Sequence, residues 1–156
     1  SEMCIRDSSK ALGEIINDKD LTIRTSIIGP ELKNNGEGLF HWFMHQSGKI
    51  RGFRTAVWGG VTTLELAKAI DYALDSGTTG LVHLSNGIGI SKYDLLCMFE
   101  EIWQKQNVEI TSCDANGVDK SIKKSLRFDY EVPSYHYMLE EQAIWMKKYI
   151  DLYTSY

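Results

Sequence analysis

The sequence predicts an α/β fold, and three observations carry that reading. Apolar residues first recur at helical spacing and then give way to an alternating run of β type. An extended segment followed by a loop and a helix then occurs twice, and both of those helices start at hydroxyl residues placed to cap them.

Ala11, Leu12, Ile15 and Ile16 have helical spacing, so a first helix is expected to end near Ile16, where Asn17-Asp18 breaks it. Leu21 to Ile28 alternates and stops at Gly29-Pro30, the pattern of a buried strand running into a loop. Lys33 to Gly38 is a polar loop, and Leu39, Phe40, Phe43 and Met44 then share one helical face. Arg51 to Trp58 reads as an irregular extended segment, and Gly59-Gly60 as a tight turn. Thr62 and Glu65 have the spacing of a capping box, in which hydroxyl and carboxylate each satisfy an orphan amide, and Leu66, Ile70, Ala73 and Leu74 line the face that follows.

Gly80 to Leu84 is a short strand and Ser85 to Ile90 a loop. Ser91 and Asp94 repeat the capping spacing before Leu95, Phe99 and Ile102. Val108 to Thr111 is a further strand, Ser112 to Lys124 a polar loop, and Met138 to Ile150 a closing helix with Met138, Trp145, Met146 and Tyr149 on its stripe.

With 156 residues, 43% hydrophobic and 24% charged, the chain suits one core and one globular domain. A net charge of -4 with scattered basic residues gives no footprint for nucleic acid or an anionic membrane, so neither is an expected partner. Cys4, Cys97 and Cys113 form none of the close pairs that zinc or redox motifs use, and read as reduced thiols. No apolar run approaches the roughly 20 residues that span a bilayer. The expected location is the cytoplasm.

Ser9-Lys10-Ala11-Leu12-Gly13-Glu14 at a helix, then Leu21-Thr22-Ile23-Arg24-Thr25-Ser26 in a strand, resembles a stretch of the extended short-chain dehydrogenase/reductases. Gly59-Gly60-Val61-Thr62 with Leu66-Ala67 is similar to the Gly-x-Pro-Thr and Leu-Ala signature of the dTDP-4-dehydrorhamnose reductase-like, sugar-nucleotide-binding family, with Val61 in place of proline. Gly80-Leu81-Val82-His83-Leu84-Ser85 and Ser91-Lys92-Tyr93 resemble that family's Gly-x-Tyr-His strand and next helix, with Val82 in place of the tyrosine. The order of these motifs, from Ser9 to Tyr149, carries the resemblance.

The resemblance implies the C-terminal part of an NAD(P)-binding Rossmann-type reductase together with its substrate-binding subdomain. It implies a parent oxidoreductase of nucleotide-sugar metabolism and polysaccharide biosynthesis that uses NAD(P)H to reduce a 4-keto nucleotide sugar. Lys10 would be the lysine of the family's Tyr-x-x-x-Lys pair, catalytic and cofactor-binding, lowering the pKa of a proton-donating phenol. Four residues before Lys10 stands Arg6, not tyrosine, and residues 1–8 look like a non-native leader fused to a native part from 9 to 156.

Thr25 is the further candidate cofactor contact, and Ser26, Ile27, Arg54, Thr55, Trp58 and Thr62 are the candidate substrate contacts. Ile27 replaces the tryptophan that rhamnose reductases carry after Arg-Thr-Ser, which leaves the sugar open. Gly87-Ile88-Gly89 lacks the third glycine of a dinucleotide fingerprint and reads as a plain loop, so this chain alone is not expected to bind the dinucleotide. The expected partners are the nucleotide sugar and a missing N-terminal Rossmann half, and a homodimer is one assembly open to it.

Simpler readings stand beside these. Lys10 without its context is a solvated helix lysine, Thr62 is a cap, His83 is a satisfied strand residue, and Trp42, Trp103 and Trp145 are packing residues. His41 and His45 have i, i+4 spacing but no third ligand, so no metal is expected. The reading from a different class is a non-catalytic sugar-nucleotide-binding or interaction module.

Overall fold

The computed structural model describes residues 2–33, 35–114 and 117–156. Ser1 of the suspected leader, Asn34 of the first polar loop, and Ala115 and Asn116 of the second lie outside the described residues, as do the side chains of Cys4 and Arg6.

The architecture is mixed α/β, built on short and mostly parallel strand pairs. Helix α1 (Glu2–Leu12) precedes β1 (Leu21–Arg24), which pairs in parallel with β6 (Gly80–His83), Leu21 opposite Gly80 and Arg24 opposite His83. β2 (Ile27–Ile28) pairs in parallel with β5 (Val61–Thr62), and β3 (Gly48–Phe53) with β8 (Val108–Cys113). β4 (Val57–Trp58) lies between β7 (Ile90–Ser91), antiparallel to it, and β9 (Asp119–Lys120), parallel to it. Parallel partners need long crossovers, and α3 (Thr63–Ser76) lies in the connection from β1 to its partner β6.

The core gathers on α2 (Leu39–Met44), α4 (Lys92–Trp103) and α5 (Tyr135–Lys148). Phe40, Phe43, Leu95, Leu96, Phe99 and Met138 are buried there. Phe40 meets Phe99 edge-on at 5.3 Å and Trp103 at 4.6 Å, contacts favoured by the ring quadrupole. The spacing of Leu39, Phe40, Phe43 and Met44 therefore marks a real core helix.

Several expectations are corrected. The first helix stops at Leu12, because Gly13 turns the chain, and Ile15 and Ile16 lie exposed beyond it. The single strand expected from Leu21 to Ile28 is two strands with different partners, broken at Thr25-Ser26. Of the segment from Arg51 to Trp58, expected to be irregular, residues 51–53 are regular strand paired with β8 and Val57–Trp58 form β4, so only the residues between them are irregular. The loop from Ser112 to Lys124 contains β9. On α3 the small residues Ala69 and Ala73 are buried while Ile70 and Leu74 face outward, so the apolar stripe extends beyond the covered face.

Candidate functional site

The candidate site lies where β1 and β6 end, since open α/β sheets hold ligands outside the carboxyl ends of their strands. Leu84 N–H donates to the Arg24 carbonyl at 3.0 Å, and the Thr25 hydroxyl donates to the Leu84 carbonyl at 2.8 Å. This locks Thr25 between the two strand ends. The chain then turns, and the Ser26 carbonyl accepts Val61 N–H at 2.9 Å.

Gly59 and Gly60 were expected to make a tight turn, yet neither is among the glycines with positive φ. Close approach explains them instead. A Cβ on Gly60 would overlap the Ser26 carbonyl and stand 2.8 Å from Trp58 Cζ2. A Cβ on Gly59 would stand 2.9 Å from the backbone of Ser121 and Ile122.

Ser26, Trp58 and Gly60 are thus in mutual reach. Trp58 packs on Tyr135 with ring centroids 5.7 Å apart, and the Tyr135 hydroxyl donates to the Ile88 carbonyl while accepting Gly60 N–H. Burial pushes the Tyr135 phenol above its ordinary range, and the Gly60 amide opposes that rise. Ile27 is exposed next to Ser26, in register with Val61.

The other candidates stand differently. Thr62 is buried and its hydroxyl accepts Glu65 N–H at 3.1 Å, the role of a helix cap. Arg54, at the end of β3, lies 4.6 Å over the Tyr93 ring and donates its N–H to the Cys113 carbonyl. Thr55 follows it at the surface, with Gly117 packed on its backbone. Lys10 occupies the last turn of α1 and is exposed, as are Ile5 and Leu12 on the same helix.

The capping box is realised only in part. The buried carboxylate of Glu65 turns away and accepts the Tyr130 hydroxyl at 2.6 Å, while Lys68 stands 3.8 Å from its other oxygen. Burial and this carboxylate both push the Tyr130 phenol up.

A strap from Gly117 to Ser125 crosses the strand ends. The Ser85 hydroxyl donates to the Ile122 carbonyl at 2.5 Å, and Ser125 N–H donates to the His83 carbonyl at 3.4 Å. Gly87 and Gly89 lie beneath it: a Cβ on Gly87 would touch Lys124 at 3.6 Å, and one on Gly89 would stand 3.3 Å from Ser121. A dinucleotide cradle needs such glycines open to a pyrophosphate. Val57 stands 2.5 Å from the place of a Cβ on Gly89 and the strap lies over Gly87, so the glycine pair is covered and does not fit the cofactor.

His41 and His45 are satisfied internally: His41 Nδ1 is 2.8 Å from the Tyr156 hydroxyl, and His45 Nδ1 is 2.8 Å from the His41 carbonyl. Among the described residues no cluster of His, Cys, Asp or Glu could hold a metal. No described helix is long and apolar enough to cross a membrane.

Sequence reasoning missed Tyr135, Tyr130 and the strap residues, which act through contacts between distant segments. His83 it named only as a strand residue, yet His83 shares a cavity with Arg24 and Lys123. The one available signal was the cluster of Gly59, Gly60, Gly87 and Gly89, which marks where another backbone comes close.

Solved structures share the fold. A dTDP-4-dehydrorhamnose reductase from Bacillus anthracis, in complex with NADP, matches with TM-score 0.62 and 16% identity over 80% of this chain and 48% of its own. A UDP-glucose 4-epimerase from Thermotoga maritima, with UDP-glucose, matches with TM-score 0.60 and 18% identity over 96% of this chain and 51% of its own. The fold is that of the Rossmann-type nucleotide-sugar reductases and epimerases. A dTDP-4-dehydrorhamnose reductase described as hypothetical, from Sulfolobus tokodaii, matches at 26% identity with TM-score 0.54, over 78% of this chain and 42% of its own. The chain thus spans about half the length of these structures. No protein-family model matches the sequence, and no curated protein does.

Proposed function

We propose that this chain is the substrate-binding part of an NAD(P)H-dependent reductase of 4-keto nucleotide sugars. The observation that carries the reading is the meeting of Ser26, Trp58 and Gly60 beyond the carboxyl ends of the parallel pair β1 and β6. The resemblance in motif order and the shared fold both support ligand chemistry of that kind there. Trp58 offers a face for a base or sugar ring, and Arg54 a cation for a diphosphate.

In this reading the dinucleotide belongs to a partner half, and Lys10 reaches toward that half from α1. The dinucleotide supplies hydride when bound there. Lys10 lowers the pKa of a phenol contributed with it, as the resemblance implies. A two-stranded parallel sheet is not stable by itself, and Leu12, Ile15 and Ile16 offer apolar surface for such a half to cover.

Calorimetry with dTDP-glucose and UDP-glucose tests the reading, together with NADPH consumption by the chain alone. Binding of a nucleotide sugar without NADPH consumption is expected; turnover by the isolated chain overturns it. One observation favours the second reading, a non-catalytic sugar-nucleotide-binding module. The core around Phe40, Phe43, Phe99 and Met138 is closed by this chain's own elements, as a unit that folds alone requires. Binding that persists unchanged when a Rossmann partner is added favours the module.

A further inference from the structure

We propose that the cavity between Arg24, His83 and the strap is an anion site, shaped for a phosphate or diphosphate group and closed by Lys123. The inference stands on the cavity's own residues and leans on the sugar-nucleotide reading only for the source of the anion.

The cavity holds about 310 Å³ and is lined by Arg24, His83, Ser121, Ile122 and Lys123. That volume is at the low end for ligand sites, which run from about 300 Å³ upward, and suits a diphosphate rather than a whole sugar nucleotide. Its polar lining is two cations, an imidazole and a hydroxyl, with no carboxylate. These groups donate hydrogen bonds to an anion.

Arg24 is fixed in place. Glu14 grips its Nε at 2.6 Å and its Nη2 at 2.5 Å, leaving Nη1 turned toward His83, 3.5 Å from Nε2. The Glu14 carboxylate stays outside the lining and offsets part of the guanidinium charge. The remaining charge has to come from Lys123, which enters no ion pair among the described residues.

The strap delivers that lysine. Ile122, its neighbour, is tied to Ser85, and Ser125 to His83, so Lys123 sits between two anchored points over the strand ends. The backbone reaches this position because Gly59 and Gly89 present no Cβ to Ser121 and Ile122. Downstream, Tyr130 on Glu65 fixes the far end.

The test titrates the full chain with sodium pyrophosphate at constant ionic strength and maps lysine acylation by mass spectrometry. Pyrophosphate is expected to bind, to shield Lys123 from acylation while the exposed Lys49 reacts as before, and to bind about tenfold more weakly to Lys123→Gln, the loss of one charge-assisted bond. Lys123 is exposed, so this variant keeps the fold. Absence of pyrophosphate binding, or binding that Lys123→Gln leaves unchanged, overturns the proposal. Competition by dTDP-glucose identifies the anion as the diphosphate of a sugar nucleotide, held here rather than at Arg54. Pyrophosphate binding that dTDP-glucose does not displace keeps the anion site, with free phosphate as its ligand, and leaves the sugar nucleotide to Arg54 and Trp58.

Discussion

The side-chain oxygen of Gln142, on α5, accepts the backbone N–H of Leu64 at 3.1 Å and the hydroxyl of Thr63 at 2.9 Å, so one helix caps the start of another. Gln142 is buried, and its removal takes the protein acceptor from both of those part-buried donors. Gln142→Ala is expected to cost about 1–3 kcal/mol. Urea unfolding checks this, and the slope of the transition should stay unchanged while its midpoint falls.

The Tyr130–Glu65 bond is a second tie between distant segments. Tyr130→Phe strands a buried carboxylate, whose other oxygen already lacks a hydrogen bond, and is expected to cost about 1.5–3 kcal/mol. Glu65→Gln combined with Tyr130→Phe should cost less than the sum of the two single changes, because the groups act as a pair. Strict additivity would show that the bond carries no weight.

Two glycines give opposite expectations. Gly60→Ala drives a methyl into the Ser26 carbonyl and is expected to destabilise by about 1–3 kcal/mol, with loss of nucleotide-sugar binding. Gly13→Ala meets only ordinary contacts, the nearest at 3.5 Å, and should change stability by less than about 1 kcal/mol. Thermal melts of both variants decide the point.

Much of the fold was legible in the sequence, and the reasons are local. The apolar spacing on α2 and the hydroxyls Thr62 and Ser91 report helix faces and caps, which depend on residues three or four apart. The end of α1 was misplaced because Ile15 and Ile16 continue a helical pattern that Gly13 has already interrupted. The split of Leu21 to Ile28 into two strands was hidden, since alternation says nothing about which partner each half pairs with. At the candidate site Ser26 and Trp58 were each named only as candidate substrate contacts, while Tyr135 and Lys123 come from segments whose approach only the tertiary fold reveals.

Acid should loosen the loop after β2. Glu31 Oε1 accepts Gly38 N–H at 2.6 Å and Glu37 N–H at 2.9 Å, and the Gly38 amide is the main cause holding this carboxyl below its ordinary range. A carboxyl with a lowered pKa in the folded state stabilises the fold above its unfolded pKa, and that contribution is lost as pH falls through the folded value. Unfolding free energies measured from pH 7 down to pH 3 should therefore fall more steeply for the wild type than for Glu31→Gln. Parallel curves would contradict this role for Glu31.

The most direct measurement of the central claim is calorimetric titration of the intact chain with dTDP-glucose and UDP-glucose, repeated with Arg54→Ala. Arg54 is exposed, and the loss of its contact with Tyr93 costs only about 0.5–1 kcal/mol of stability, so the variant remains folded. The account predicts saturable binding of a nucleotide sugar to the chain and clearly weaker binding to Arg54→Ala. No heat of binding, with a melting temperature unmoved by either nucleotide sugar, would contradict it.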